Sequence, residues 1–73
     1  MQFHRGQRIR IVVNGEAIET GASTVAALVA ELGYDELQVA TALNGDFVPR
    51  GARAGAKLGV DDSIEIVAPR QGG

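Results

Sequence analysis

The chain has 73 residues and a mass of 7.6 kDa, which is enough for one small domain and leaves no room for a second. Seven Lys and Arg residues against nine Asp and Glu give a formal net charge of −2, which argues against binding to a nucleic-acid backbone by counterion release. The chain has no cysteine, and this excludes disulfides, a thiol nucleophile and a zinc site of thiolates.

Membrane and export signals are missing from the sequence pattern. No charge-free apolar run approaches the roughly 20 residues of a membrane span, and the basic amino terminus is not followed by the apolar segment of a signal peptide. We therefore expect a cytoplasmic protein with no membrane segment, folded as one domain over residues 1–73 with an amino-terminal arm at residues 1–7.

The first predicted element is a hairpin. Residues 8–14, RIRIVVN, alternate apolar and polar side chains at first, which is typical of a strand. Asn14-Gly15 follows, and an Asn-Gly pair between two extended runs favours a type I′ turn, in which both central residues need positive φ. Residues 16–20 are then the second strand.

A helix is predicted next, because Val25, Leu28, Val29 and Leu32 recur with helical spacing. Ser23 or Thr24 supplies the amino-terminal cap, and the following glycine at residue 33 suits a left-handed carboxyl-terminal cap.

The second half of the chain contains two further predicted strands. Residues 39–44 (VATALN) form the first of them and end at a second Asn-Gly pair, and residues 50–58 are a loop with one helical turn. Asp61-Asp62 forms a turn before the last strand, residues 63–68, and the proline at position 69 stops that strand. Residues 69–73 are predicted to be a flexible tail.

The element order is strand, strand, helix, strand, strand. With the last strand parallel beside the first, a right-handed crossover places the helix over one face of the sheet. The predicted fold class is α+β, a ubiquitin-like β-grasp with a mixed four- to five-stranded sheet and one main helix packed on one face. The final strand is central in that topology, so the tail projects from the body.

The sequence offers little material for a catalytic site. It has one histidine and no cysteine, so we expect no enzyme activity and no bound cofactor. The run GARAGAKLG does not match a phosphate-binding loop, because its glycine spacing is wrong and no Ser or Thr follows the lysine.

The terminal Gly72-Gly73 pair has two interpretations. It is a frayed end, or its free carboxylate enters a narrow channel of a partner enzyme. Acyl chemistry at a carboxylate first requires a mixed anhydride such as an acyl-adenylate, so the partner would bind the ATP.

Four segments together resemble the ThiS family, the sulfur-carrier proteins of thiamine biosynthesis. The resemblance covers nearly the whole chain from residue 9 onward, and its most specific parts are VPR and the terminal Gly-Gly. The segments are the first hairpin with its Asn-Gly turn, STVAALV, ALNGDFVPR and IEIVAPRQGG.

That resemblance implies a role for each residue of the tail. Gly73 would be the covalent sulfur carrier, adenylated by a ubiquitin-activating-like enzyme and converted to a thiocarboxylate with sulfur from a donor protein. Thiazole synthase would take up that sulfur. Gly72 would have to remain a residue without a side chain so that it fits a narrow channel, and Gln71 and Arg70 would lie in the channels of the partners.

The chain departs from the family pattern at two places. An aromatic residue often follows VPR shortly, whereas Gly51, Ala52 and Arg53 stand here. About seven residues also precede the first strand. Both departures concern partner details more than the fold.

Strand alternation predicts an apolar patch on the sheet face away from the helix. Such a patch on a small protein is typical of a docking surface, here for the activating enzyme, although small apolar residues also simply suit strands. The predicted patch consists of Val12, Ala40, Ala42 and Val67.

Three other functions fit the same pattern. The small subunit of molybdopterin synthase resembles this chain in its fold and Gly-Gly end, although VPR and the short length favour thiazole synthesis. A ubiquitin-like tag attached to lysines through Gly73 is the second, and a non-covalent ubiquitin-like binding module with an inert tail is the third. We expect a monomer, as suits a carrier that visits several partners.

Overall fold

The computed structural model describes residues 7–69, and the arm at residues 1–6 and the tail at residues 70–73 lie outside this range. Within it, five strands, one α-helix and one 3₁₀ helix account for the regular structure. Their bounds are β1 (Ile9–Val13), β2 (Glu16–Thr20), α1 (Val25–Glu31), β3 (Ala40–Leu43), β4 (Asp46–Val48), the 3₁₀ helix (Arg50–Gly55) and β5 (Ser63–Val67).

The five strands form one mixed sheet in the order β2-β1-β5-β3-β4. β5 runs parallel to β1, with Val13 opposite Ile64, and antiparallel to β3, with Thr41 opposite Ile66. The last strand is therefore central, and the predicted ubiquitin-like α+β fold with a parallel first and last strand is confirmed.

Both Asn-Gly pairs form the tight turns that the sequence predicts. Asn14 and Gly15 have φ of 52° and 84°, and Asn44 and Gly45 have φ of 51° and 89°, as a type I′ turn requires. The second turn leads into β4, which pairs with β3. The sequence analysis did not assign β4 as a separate strand, because three residues are too few for a recognisable alternation.

The helix begins at the second of its two candidate caps. The Oγ1 atom of Thr24 accepts a hydrogen bond of 3.1 Å from the backbone N–H of Ala27, and Gly33 follows the helix with a φ of 82°. Leu32 was expected on the apolar face but is 39% exposed, because the helix ends at Glu31 and Leu32 is its carboxyl-terminal cap.

The core lies between α1 and one face of the central strands. Burial of each of these aliphatic side chains contributes about 1.5–3 kcal/mol, and their alternation along β1 and β5 puts every second side chain on this face. The buried cluster contains Ile11, Val13, Val25, Leu28, Val29, Ile64 and Ile66.

The predicted loop after β4 is a six-residue 3₁₀ helix, and its Arg53 points inward. Only 5% of Arg53 is exposed. Its Nε donates to Thr41 Oγ1 at 3.1 Å, and its two Nη atoms donate to the carbonyl oxygens of Glu36 at 2.9 Å and Val39 at 2.7 Å. Arg53 thereby joins the 3₁₀ helix to β3 and to the connection that precedes it.

Candidate functional site

The central strand leads directly to the predicted tail. β5 ends at Val67, and Pro69, which lacks a backbone N–H, prevents the ladder from continuing. The tail predictions at Gly73, Gly72, Gln71 and Arg70 all fall outside the described residues. The described part of the site is thus the end of β5 and the sheet surface around it.

The sheet face opposite α1 is left uncovered by residues 7–69. Val67 lies on it and is 63% exposed, opposite the exposed Ala40 of β3. Two positions along β3, Ala42 lies opposite Glu65 on one side and Phe47 on the other. Three of the four residues predicted for the docking patch are therefore neighbours at the end of β5.

Val12 lies apart from the other three. It is opposite Ser63 on β5 and Ala17 on β2, and Ser63 is four residues before Val67. At about 3.3 Å per residue, that separation along the strand is roughly 13 Å. The exposed carboxylate-bearing residue Glu65 also stands between the two places.

Phe47 was not among the predicted site residues. It is 68% exposed, and its pairing with Ala42 puts it on the same face as Val67. A sequence signal was available, because Phe47 is the second residue after the second Asn-Gly turn and the adjacent Val48 is buried on the other face. We use the name terminal patch for Ala40, Ala42, Phe47 and Val67.

A shallow depression borders the terminal patch where β3, β4 and the 3₁₀ helix meet. Ala40 and Phe47 form one side of it, and Glu36, Arg50 and Arg53 contribute to the rest. Arg50 is exposed, whereas Arg53 is engaged with three acceptors beneath the surface. The apolar patch thus has a cation at its rim.

Residues 7–69 contain no group of three or more His, Cys, Asp or Glu residues arranged to hold a metal ion. Neither helix in that range, the seven-residue α1 or the six-residue 3₁₀ helix, is long enough to cross a membrane.

The sheet order, the covering helix and the central last strand define a ubiquitin-like protein. The family model of the ThiS family matches residues 11–73. The chain therefore belongs to the ThiS family, as its sequence motifs suggested.

Two relatives show how widely the likeness extends. A crystal structure of a thiamine biosynthesis protein (ThiS) from Geobacter metallireducens matches with a TM-score of 0.73 and 26% identity, over 89% of this chain and 100% of that one. A thiazole synthase from Paramagnetospirillum magneticum is 41% identical over 66 residues, which are 89% of this chain. The chain spans only 20% of the length of that relative.

Proposed function

We propose that this protein carries sulfur for formation of the thiazole ring in thiamine biosynthesis, with the α-carboxylate of Gly73 as the point of attachment. The observation that carries the proposal is the family match, which runs through both terminal glycines to residue 73. The relatives add support, because one is named a thiamine biosynthesis protein and the other a thiazole synthase. Neither name points to a pterin pathway.

The proposed chemistry has two steps, and the partners catalyse both. In the first, a carboxylate oxygen of Gly73 attacks the α-phosphorus of ATP, which gives an acyl-adenylate and releases pyrophosphate. In the second, hydrosulfide (HS⁻) supplied by a donor protein attacks the acyl carbon and displaces AMP, which leaves a thiocarboxylate and releases a proton. The carrier then gives this sulfur to thiazole synthase.

The carrier's own residues bind and present the carboxylate. Gly72 and Gly73 have no side chains to block a narrow channel, and Gln71 and Arg70 lie in the channels of the partners. We further propose that the terminal patch docks on the activating enzyme, because exposed apolar side chains lie together there beside the end of β5. The carrier works as a monomer in the cytoplasm, and ATP belongs to the partner's site.

Labelling with a thiol reagent tests the proposal sharply, because the chain has no cysteine. The full chain is incubated with the activating enzyme of the same genome, ATP and a sulfide source, then treated with N-ethylmaleimide. We expect a single adduct in the intact mass, mapped to Gly73 by fragmentation. Oxidation of the one methionine, which resembles oxygen-to-sulfur replacement in mass, gives no such adduct.

Two controls accompany the labelling. Omission of ATP and deletion of Gly72 and Gly73 should each abolish the adduct. If the unaltered chain stays unlabelled in the complete reaction, the sulfur-carrier function is wrong and the inert binding module becomes the better interpretation.

A further inference from the structure

Asn14, the first residue of the β1–β2 turn, makes three hydrogen bonds to the last strand. Its backbone N–H donates to the carbonyl of Ile64 at 2.9 Å. Its side-chain Oδ1 accepts from the N–H of Ile66 at 2.9 Å, and its Nδ2 donates to the carbonyl of the same residue at 3.1 Å. A turn residue thus contacts β5 across 52 positions of sequence.

The side chain of Asn14 makes the hydrogen bonds to β5 that a longer β1 strand would make with its backbone. The ladder between β1 and β5 ends with Val13 opposite Ile64, because the chain then turns away into β2. The next β5 residue with its N–H and C=O on this side is Ile66, which is only 4% exposed. Buried backbone groups without partners are costly, and the Asn14 carboxamide provides one acceptor and one donor for them.

Asn44 in the second turn makes the corresponding contact at the opposite end of β5. Its backbone N–H donates to the carbonyl of Ser63 at 2.7 Å, and its Oδ1 accepts from the N–H of Ser63 at 2.8 Å. Its Nδ2 donates to Asp62 Oδ1 at 3.1 Å. Both ends of the central strand are therefore held by a turn asparagine, and of the two it is Asn14 that holds the end that leads to the tail.

We propose that Asn14 is a positioning residue for the tail, because its carboxamide fixes the point and direction in which the chain leaves the sheet after Ile66. Beyond that residue, Val67 has a strand partner on the β3 side, Ala40, while β1 offers none. Within residues 7–69, Asn14 is thus the last hydrogen-bonding partner of β5 on the β1 side. Without the Asn14 carboxamide, the end of β5 samples more orientations, and the α-carboxylate of Gly73 reaches a partner's site less often.

The effect of this positioning on adenylation rests on the proposed function, whereas the anchoring of β5 by Asn14 is independent of it. Anchoring and adenylation are therefore tested by separate measurements. Asn14→Gly removes both side-chain bonds and still accepts the positive φ of 52°. Asn44→Gly is the matched control, because it makes the same change in the same kind of turn, where φ is 51°, at the other end of β5.

The first measurement is backbone ¹⁵N relaxation of Val67 and Ala68 in the full-length chain. We expect lower order parameters in Asn14→Gly and no change in Asn44→Gly. Asn14→Asp, which keeps the acceptor for Ile66 N–H and loses the donor, should give an intermediate value, and it serves if the glycine variant does not fold. Unchanged order parameters in both Asn14 variants would overturn the proposal.

The second measurement is ATP–pyrophosphate exchange by the activating enzyme with each variant as substrate. We expect kcat to fall on the order of tenfold for Asn14→Gly, with a smaller change in KM because the substitution removes no side chain of the terminal patch. Asn44→Gly should keep the kcat of the unaltered chain despite a similar loss of stability. Equal kcat values for the two variants would contradict a positioning role, and no exchange with the unaltered chain would instead refute the proposed function.

Discussion

Arg53 is a cation in the interior whose acceptors are all neutral. A hydroxyl and two backbone carbonyls surround its guanidinium, and they come from residues 12 to 17 positions away in the sequence. The planar fork of arginine points its N–H groups in several fixed directions, which a lysine ammonium cannot reproduce. The sequence could not indicate this role, because an arginine between small residues is typical of an exposed loop and the acceptors are distant.

Arg53→Lys should therefore lower the free energy of unfolding by about 2 kcal/mol, since at least one buried acceptor loses its donor. Urea denaturation of the variant and the unaltered chain measures the difference. Arg50→Lys is the matched control on the same 3₁₀ helix: Arg50 is exposed, and we expect a change within about 0.5 kcal/mol. Equal stability losses at the two positions would show that the contacts of Arg53 contribute nothing.

At the scale of elements, α1 depends on its cap because it has only seven residues. The first turn of a helix leaves backbone N–H groups without partners inside the helix, and Thr24 Oγ1 satisfies the one on Ala27. The sequence left Ser23 and Thr24 as equal candidates. Thr24 is the cap because its φ of −138° and ψ of 164° orient the side chain toward the helix.

Thr24→Ala should destabilise the protein by about 1 kcal/mol through loss of this cap. Thermal or urea unfolding monitored by circular dichroism gives the value. Ser23→Ala removes a neighbouring hydroxyl that does not cap α1 and should have an effect below about 0.5 kcal/mol. A larger loss at Ser23 than at Thr24 would contradict the assignment of the cap.

Local patterns predicted most of the fold, and contacts distant in sequence explain what they missed. The two Asn-Gly pairs, the helical spacing of Val25, Leu28 and Val29, and the alternation in β5 indicated every regular element except β4 and the full extent of the 3₁₀ helix. For Asn14 and Asn44, the sequence predicted only the positive φ angles of a tight turn. Their hydrogen bonds to β5 could not be foreseen, because they depend on how strands far apart in the chain come to lie side by side.

The candidate site was predictable only in part for the same reason. Alternation assigns Val12 and Val67 to one face, but it does not say which strand residues are opposite each other. The register separates Val12 from Val67 and brings Phe47 to Ala42 instead. The terminal glycine pair stood out in the sequence itself, its role as a sulfur carrier came from the resemblance to the family, and the described residues do not include the tail.

At the scale of the whole molecule, one face of the sheet is committed to the core and the other is free to meet a partner. Val67→Asp should leave the free energy of unfolding nearly unchanged, because the side chain is 63% exposed. It should weaken binding to the activating enzyme about tenfold, because a charge replaces an exposed apolar side chain of the terminal patch. Isothermal titration calorimetry with the isolated partner measures the dissociation constant.

Ala17→Asp is the control for that prediction. It adds the same charge to the same sheet face, but on the edge strand β2, away from the terminal patch. Binding should stay close to that of the unaltered chain. If the two variants weaken binding equally, long-range charge repulsion is responsible and the patch is not the docking surface.

The central position of β5 also determines which incomplete copies of the protein can interfere with it. β5 is the neighbour that the β1–β2 hairpin and the β3–β4 hairpin share, so a chain that stops before Ser63 has two hairpins and no continuous sheet. Under the proposed function, such a fragment would lack both the terminal patch and Gly73, so it could not compete with the complete chain for the activating enzyme. A chain shortened only after Val67 would keep the sheet and the terminal patch, and it would therefore inhibit by occupying the enzyme without presenting the carboxylate of Gly73.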